Sequence, residues 1–200
     1  MKFVLGQKVN MTQVFDENGV LHPGTVISVG PNVVTQVKTK DSDGYTAVQV
    51  GYGTRNPKNV NKAQKGHTKE LGNFSNFREF RGEGTLKVGD ALSPALFKVG
   101  DEVVITSVSK GKGFQGVIKR HNFSGGRRSH GNKHAEREPG SIGGGLRTRV
   151  PKGMRMGGRM GQDVITAKGM KVLMVDEAKR EIIIGGAVPG RRGTLVEIKG

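Results

Sequence analysis

The stretch Val103–Gly116, VVITSVSKGKGFQG, changes character at its midpoint. Its first half, Val103–Ser109, is rich in β-branched residues and follows a Gly100-Asp101 turn, so it reads as a strand. From Lys110 onward, lysines alternate with glycines, and the strand signal ends. The basic character then persists to Gly161. Those 53 residues hold thirteen Lys and Arg: Lys110, Lys112, Lys119, Arg120, Arg127, Arg128, Lys133, Arg137, Arg147, Arg149, Lys152, Arg155 and Arg159. Only Glu136 and Glu138 oppose them, which leaves +11 of the chain's total of +16 on about a quarter of its length. The same segment has 14 glycines and few large apolar side chains. Burial there cannot offset the entropy of ordering, so the segment is expected to stay unfolded until a polyanion meets it. Nucleic acid is the polyanion that suits it.

On the N-terminal side, Lys2–Tyr52 reads as a meander of short strands. Thr25–Val29 and Val33–Lys38 flank a Gly30-Pro31-Asn32 turn, and Asp41–Gly44 turns into an alternating Tyr45–Val50. Gly53–Arg81 differs. Leu71, Phe74, Phe77 and Phe80 recur every three residues, which predicts a helix with Asn73 as its cap. Lys87-Val88-Gly89-Asp90 and Lys98-Val99-Gly100-Asp101 repeat one tetrapeptide, as two turns of one type would. Beyond the basic segment the chain is β again, over Asp163–Ala167, Lys171–Val175, Glu181–Ile184 and Thr194–Ile198. Many short strands with Gly-rich turns predict a mainly β protein built as a barrel. The expected division is a discontinuous barrel domain (1–52, 85–108 and 162–200), a small helical insert (53–84) and a basic arm (109–161).

The totals narrow the function. Cysteine is absent, which excludes disulfides, thiolate metal sites and a thiol nucleophile. No apolar run approaches a membrane span or the core of a signal peptide, so a cytoplasmic protein without membrane contact is expected. Gly111-Lys112-Gly113-Phe114-Gln115-Gly116 matches GxGxxG, with Glu136 about twenty residues on. No convincing helix and no second βα unit follow, as a dinucleotide fold would need. Glycines that let the backbone approach phosphate, beside Lys110 and Lys112, give the better reading. Asp41-x-Asp43-Gly44 lacks the Glu that would complete a calcium loop, because Tyr52 stands there. His130 and His134 have no third ligand, so no metal is expected, and contacts to phosphate or base suit them better. Ser124, Ser129 and Ser141 lack nucleophile-elbow spacing, and acids are scarce near the histidines, so neither catalysis nor a small-molecule substrate is expected. Met154, Met156 and Met160 alternate with arginine and glycine and suit either core or groove. Phe114 and Phe123 are the segment's only aromatics, so recognition should rest on phosphate charge and RNA shape. A general nucleic-acid architectural protein is the alternative, though wedge side chains for kinking are few.

Several blocks then carry a family resemblance. They are Gly6–Phe15, Asp43-Gly44-Tyr45-x-Ala47-Val48-Gln49, and Ser107-x-Ser109-Lys110-Gly111-Lys112-Gly113-x-x-Gly116-x-x-x-Arg120. His130-Gly131-Asn132, Pro139–Gly143, Gly158-x-Met160-Gly161 and Gly186–Gly190 follow in order. Together they resemble, over essentially the whole chain, the universal large-subunit ribosomal protein of the L-three family in its bacterial form. The resemblance implies a translation-protein-type β-barrel with a helical insert and a long basic, Gly-rich extension. It implies binding to large-subunit (23S-type) rRNA, a part in initiating subunit assembly, neighbouring large-subunit proteins as partners, and an extension directed toward the peptidyl transferase centre. Lys110, Lys112 and Arg120 would grip RNA at the extension's root, joined along it by Lys119, Arg127, Arg128, His130, Lys133, Arg137, Arg147, Arg149, Lys152, Arg155 and Arg159. Gly140, Ser141, Ile142, Gly143, Gly144, Gly145 and Leu146 would form the tip. The sequence departs from the family pattern at Val104, at His121, where tryptophan is common, and at Gly144, which replaces a glutamine methylated in some bacteria. Leu146–Pro151 also differs from the usual tip.

Overall fold

The computed structural model describes residues 2–82, 86–144 and 149–200. Its strands are β1 (Phe3–Phe15), β2 (Leu21–Ser28), β3 (Asn32–Lys38), β4 (Ala47–Thr54), β5 (Phe74–Arg81), β6 (Ala91–Leu92) and β7 (Glu102–Val108). They continue as β8 (Phe114–Gln115), β9 (Gly158–Arg159), β10 (Val164–Asp176), β11 (Glu181–Gly185) and β12 (Leu195–Lys199). The helices are short: α1 (Lys40–Asp43), α2 (Lys62–Thr68) and α3 (Val117–His121). The protein is therefore mainly β. The chain divides into two compact units. One runs to Val108 and resumes over Val164–Gly200, and the other is Ser109–Asp163.

In the first unit six strands pair in a closed cycle, β1-β12-β7-β10-β11-β2 and back to β1, all antiparallel. Inward positions alternate along β7, β11 and β12, as the two-residue side-chain period requires. Val103, Ile105 and Ser107 face in from β7, Ile182 and Ile184 from β11, and Val196 and Ile198 from β12. Leu5, Ile27, Ile105, Ile182, Ile184 and Ile198 have no solvent exposure. Each such side chain stabilises the fold by roughly 1.5–3 kcal/mol. The buried Ser107 hydroxyl donates to the Leu195 carbonyl at 2.8 Å.

A second sheet, β5-β4-β3-β6, belongs to the same unit. The meander expected through Tyr52 therefore breaks after β2, with β3 and β4 leaving the ring. Asn32 joins the two sheets. Its side chain accepts from the Leu5 amide and donates to the Leu5 carbonyl, each at 2.9 Å, which satisfies a fully buried polar group. Phe3 and Phe80 stack across the same junction with centroids 4.3 Å apart. On the sheet's outer side Lys38 pairs with Glu79 at 2.7 Å, and the Tyr45 hydroxyl donates to Glu79 at 2.8 Å. The Lys38 bond is the chief cause that holds the Glu79 carboxyl below its ordinary value.

The helix expected over Leu71–Phe80 is instead the strand β5, and Asn73 caps nothing. The threefold aromatic spacing misled because only Phe74 and Phe80 are buried, six residues apart and so on one face of a strand, while Phe77 is half-buried. Phe74 lies over Gly51 of β4, where a Cβ would sit 2.6 Å from its ring. The helix in this region is α2, whose cap is Asn61, accepting from the Gln64 amide at 2.8 Å. The two strands expected over 163–175 are one, β10, with a register shift between Ala167 and Met170. The repeated tetrapeptides form matching turns. Asp90 accepts from the Lys87 amide at 2.8 Å, and Asp101 accepts from the Lys98 amide at 3.0 Å.

Candidate nucleic-acid interface

The Ser109–Asp163 unit is held by backbone meeting backbone. At its root the Ser109 amide donates to the Asp163 carbonyl at 2.9 Å, and the Asp163 amide donates to Ser109 Oγ at 3.2 Å. The Lys112 amide donates to the Met160 carbonyl at 2.9 Å, and the Met160 amide returns a bond to Gly113 at 3.0 Å. β8 and β9 extend this ladder, pairing Phe114 with Arg159 and Gln115 with Gly158. The sequence explains the approach. Gly161 has φ +80°, and a Cβ there would fall 2.2 Å from the Lys110 carbonyl oxygen. No L side chain fits that position.

One turn of helix follows, contrary to the expectation that Gly116 leads into no helix. α3 is capped by Gly116 at its start and by Asn122 at its end, which adopts the left-handed conformation with φ 59°. It buries Val117, the one buried apolar residue among the described residues of this unit. From α3, Arg120 donates to the Met156 carbonyl at 2.8 Å, and His121 Nε2 lies 3.1 Å from the same oxygen. The Arg120 guanidinium lies so close to Gly158 that a Cβ there would come within 2.6 Å. Five residues are too few for a nucleotide-binding βα unit, and no parallel strand accompanies α3.

Beyond α3 the chain doubles back. The Gly126 amide donates to the Glu136 carbonyl at 2.9 Å, and Asn132 Nδ2 donates to the Arg127 carbonyl at 2.6 Å. Gly125 makes this closure possible at φ +74°, where a Cβ would lie 2.4 Å from the Glu136 oxygen. Within this unit, glycine lets carbonyls and amides pair where apolar side chains are missing.

The predicted cations distribute along this frame. Lys110 and Lys112 stand at the root, Lys119 and Arg120 on α3, and Arg127, Arg128, His130 and Lys133 in the loop after it. Arg137 ends a 3-10 turn, Ala135–Arg137; Arg149, Lys152 and Arg155 lie in loop, and Arg159 lies in β9. All of these are exposed, and none is drawn into a core. Among the described residues only Arg128 has a carboxylate partner, Glu136, at 2.7 Å. The other described cations of the unit have no carboxylate partner, although Arg120 also donates to the Met156 carbonyl. Of the expected tip, Gly140, Ser141, Ile142, Gly143 and Gly144 are in irregular backbone; Gly145, Leu146 and Arg147 lie outside the described residues.

Reasoning from sequence passed over two features. Asn132 and Met156 shape the unit through a side-chain amide and a backbone carbonyl, which charge counting does not detect. A second basic stretch surrounds α2, where Arg55, Lys58, Lys62, Lys65 and Lys69 are all exposed. The signal for it was present, five bases with no acid between them. Among the described residues no three His, Asp or Glu side chains converge as a metal site would require. No helix among them is long and apolar enough to cross a membrane.

The family described as "Ribosomal protein L3" matches residues 66–184. The large ribosomal subunit protein uL3 of Herpetosiphon aurantiacus is 44% identical over 199 residues, covering 98% of this chain and 94% of that one. The uL3 protein of Streptomyces coelicolor is 46% identical over 204 residues, covering 100% and 95%. That of Bacillus mycoides is 43% identical over 203 residues, covering 100% and 96%.

Proposed function

We infer the function from kinship and geometry together: the chain belongs to the ribosomal protein L3 family. It is a structural constituent of the large ribosomal subunit and not an enzyme. Its closed ring of six strands is the translation-protein-type barrel of that family. The Ser109–Asp163 unit is its rRNA-binding extension. Lys110, Lys112, Lys119, Arg120, Arg127, Arg128, His130, Lys133, Arg137, Arg147, Arg149, Lys152, Arg155 and Arg159 meet large-subunit rRNA. Residues Gly140–Leu146 form the tip that supports the peptidyl transferase centre. Binding of this extension orders rRNA early, which is how the protein helps to initiate subunit assembly. Neighbouring large-subunit proteins complete its partners.

The observation that carries this reading is the exposure of the cations on a glycine-closed frame, with a single ion pair among the described residues. Exposed, unpaired Lys and Arg retain their full charge for phosphate, and each phosphate neutralised releases counterions. The test is binding of the full chain to deproteinised large-subunit rRNA at several salt concentrations. If 6–10 phosphates are contacted, affinity falls about 10³–10⁵-fold between 50 and 200 mM salt. A flat response would overturn the reading. Equal affinity for duplex DNA and for this rRNA would instead favour a general architectural protein.

A further inference from the structure

We propose that a cleft beside Phe123 in the Ser109–Asp163 unit holds one unpaired guanine nucleotide of the bound RNA, with Glu138 reading its Watson–Crick edge. This rests on the rRNA-binding reading above and adds a base-specific contact to a surface otherwise built for phosphate.

The cleft is about 550 Å³ and is lined by Phe123, Ser124, Gly125, Gly126, Glu138 and Pro139 among others. That volume lies within the range of small-ligand pockets and admits a nucleoside. The Phe123 ring is half-buried and braced by His121, with centroids 6.1 Å apart and planes tilted by 47°. Phe123 and Pro139 give the cleft apolar surface against which a base can stack. Gly125 and Gly126 have no side chains to obstruct it.

Glu138 supplies the specificity. The unit has three acids: Glu136, Glu138 and, at its root, Asp163. Glu136 is spoken for by Arg128, at 2.7 Å. Glu138 is exposed, and its carboxylate has no hydrogen-bond or ion partner among the described residues, although Arg137 precedes it directly. On a surface that meets phosphates, a free carboxylate repels the ligand unless it meets N–H donors. A carboxylate offers two acceptor oxygens and no donor. Guanine places N1–H and the N2 amine side by side, so both oxygens are satisfied at once. Adenine and cytosine put a ring acceptor next to their amine, and uracil puts a carbonyl on each side of its one N–H. Those three bases would bring oxygen or nitrogen lone pairs against the carboxylate. Unpaired bases splayed from a fold and read on this edge are the usual target of sequence-specific RNA recognition.

The experiment uses the full chain bound to deproteinised large-subunit rRNA, probed with a 1,2-dicarbonyl reagent that modifies guanine at N1 and N2. The wild-type complex protects a guanine that Glu138→Gln returns to the reactivity of free RNA. Affinity falls about tenfold, as loss of a bidentate base contact requires. The dependence of affinity on salt keeps its slope, because no phosphate contact is removed. Phe123→Leu weakens protection of the same guanine by removing the stacking face. If Glu138→Gln and wild type protect the same guanines to the same extent, the cleft is not a guanine site. If wild-type binding does not respond to salt, the rRNA-binding reading itself fails, and the salt series separates that outcome from the first.

Discussion

The six-stranded ring and the Ser109–Asp163 unit solve one problem by opposite means. In the ring, side chains face inward, and residues such as Leu5, Ile105 and Ile198 lose all contact with water. In the second unit Val117 is the one buried apolar side chain among the described residues, and glycines bring backbone onto backbone. The ring's geometry is stabilised by burial that no partner need provide. The second unit's backbone bonds each contribute only about 0.5–1.5 kcal/mol net, against about 1–2 kcal/mol of entropy per ordered residue. Its shape is encoded by glycine, and on the rRNA-binding reading proposed above the rest of its stability comes from the polyanion its cations meet.

The contrast is broken most forcefully by truncating cores. Ile198→Ala should cost about 2–5 kcal/mol in chemical denaturation, because a fully enclosed side chain leaves a cavity. Val117→Ala should leave the same transition within about 0.5 kcal/mol. A comparable loss at both sites would give the second unit a core of its own.

Gly161→Ala should cost about 1–3 kcal/mol locally, since φ +80° and the nearby Lys110 carbonyl both oppose a Cβ. Amide exchange at Lys112 and Met160 should accelerate in the rRNA complex while the ring's unfolding midpoint stays put. Movement of that midpoint would tie the two units' stabilities together.

Charge sharpens the comparison next. Replacing Lys110 and Lys112 with Gln should reduce the log–log salt slope of rRNA binding by about 2 in total, about 1 per phosphate contact. Thermal unfolding of the free protein should not change, because neither side-chain ammonium has a partner among the described residues, and the backbone bonds of Lys112 survive the change to Gln.

The smallest effect belongs to one ion pair of the first unit, Lys38–Glu79. The Glu79 carboxyl sits below its ordinary value of 4.5 in the folded protein, chiefly through Lys38. Its contribution is complete above 4.5 and fades as pH falls through the lower folded value. Glu79→Gln should therefore be slightly less stable than wild type at pH 7 and equal to it at pH 2 in denaturant titrations. A difference that grows on acidification would reverse the sign.

Much of this could be read from residue order, for reasons that differ by region. β7, β11 and β12 were legible because one face of each is buried, and alternation then appears in the sequence. The cations of the second unit were legible because exposed charge does not depend on how the chain folds around it. β5 was not, since Phe74, Phe77 and Phe80 fit a helical spacing, and only Gly51 in another strand decides which rings are covered. The departure of β3 and β4 into a second sheet depends on the long-range Asn32–Leu5 bonds. α3 was hidden because five residues carry no periodicity. The closures at Gly125 and Gly161 pair residues 11 and 51 positions apart, and composition announces glycine without naming the carbonyl it must approach.

Amide hydrogen exchange of the full chain, with and without large-subunit rRNA, tests the contrast most directly. Ring amides such as Ile105 and Ile198 should exchange slowly in both conditions. Amides of Lys112, Gly126 and Met160 should exchange rapidly in the free protein and become strongly protected on RNA. Protection of those three at the level of the ring, with no RNA present, would contradict the account.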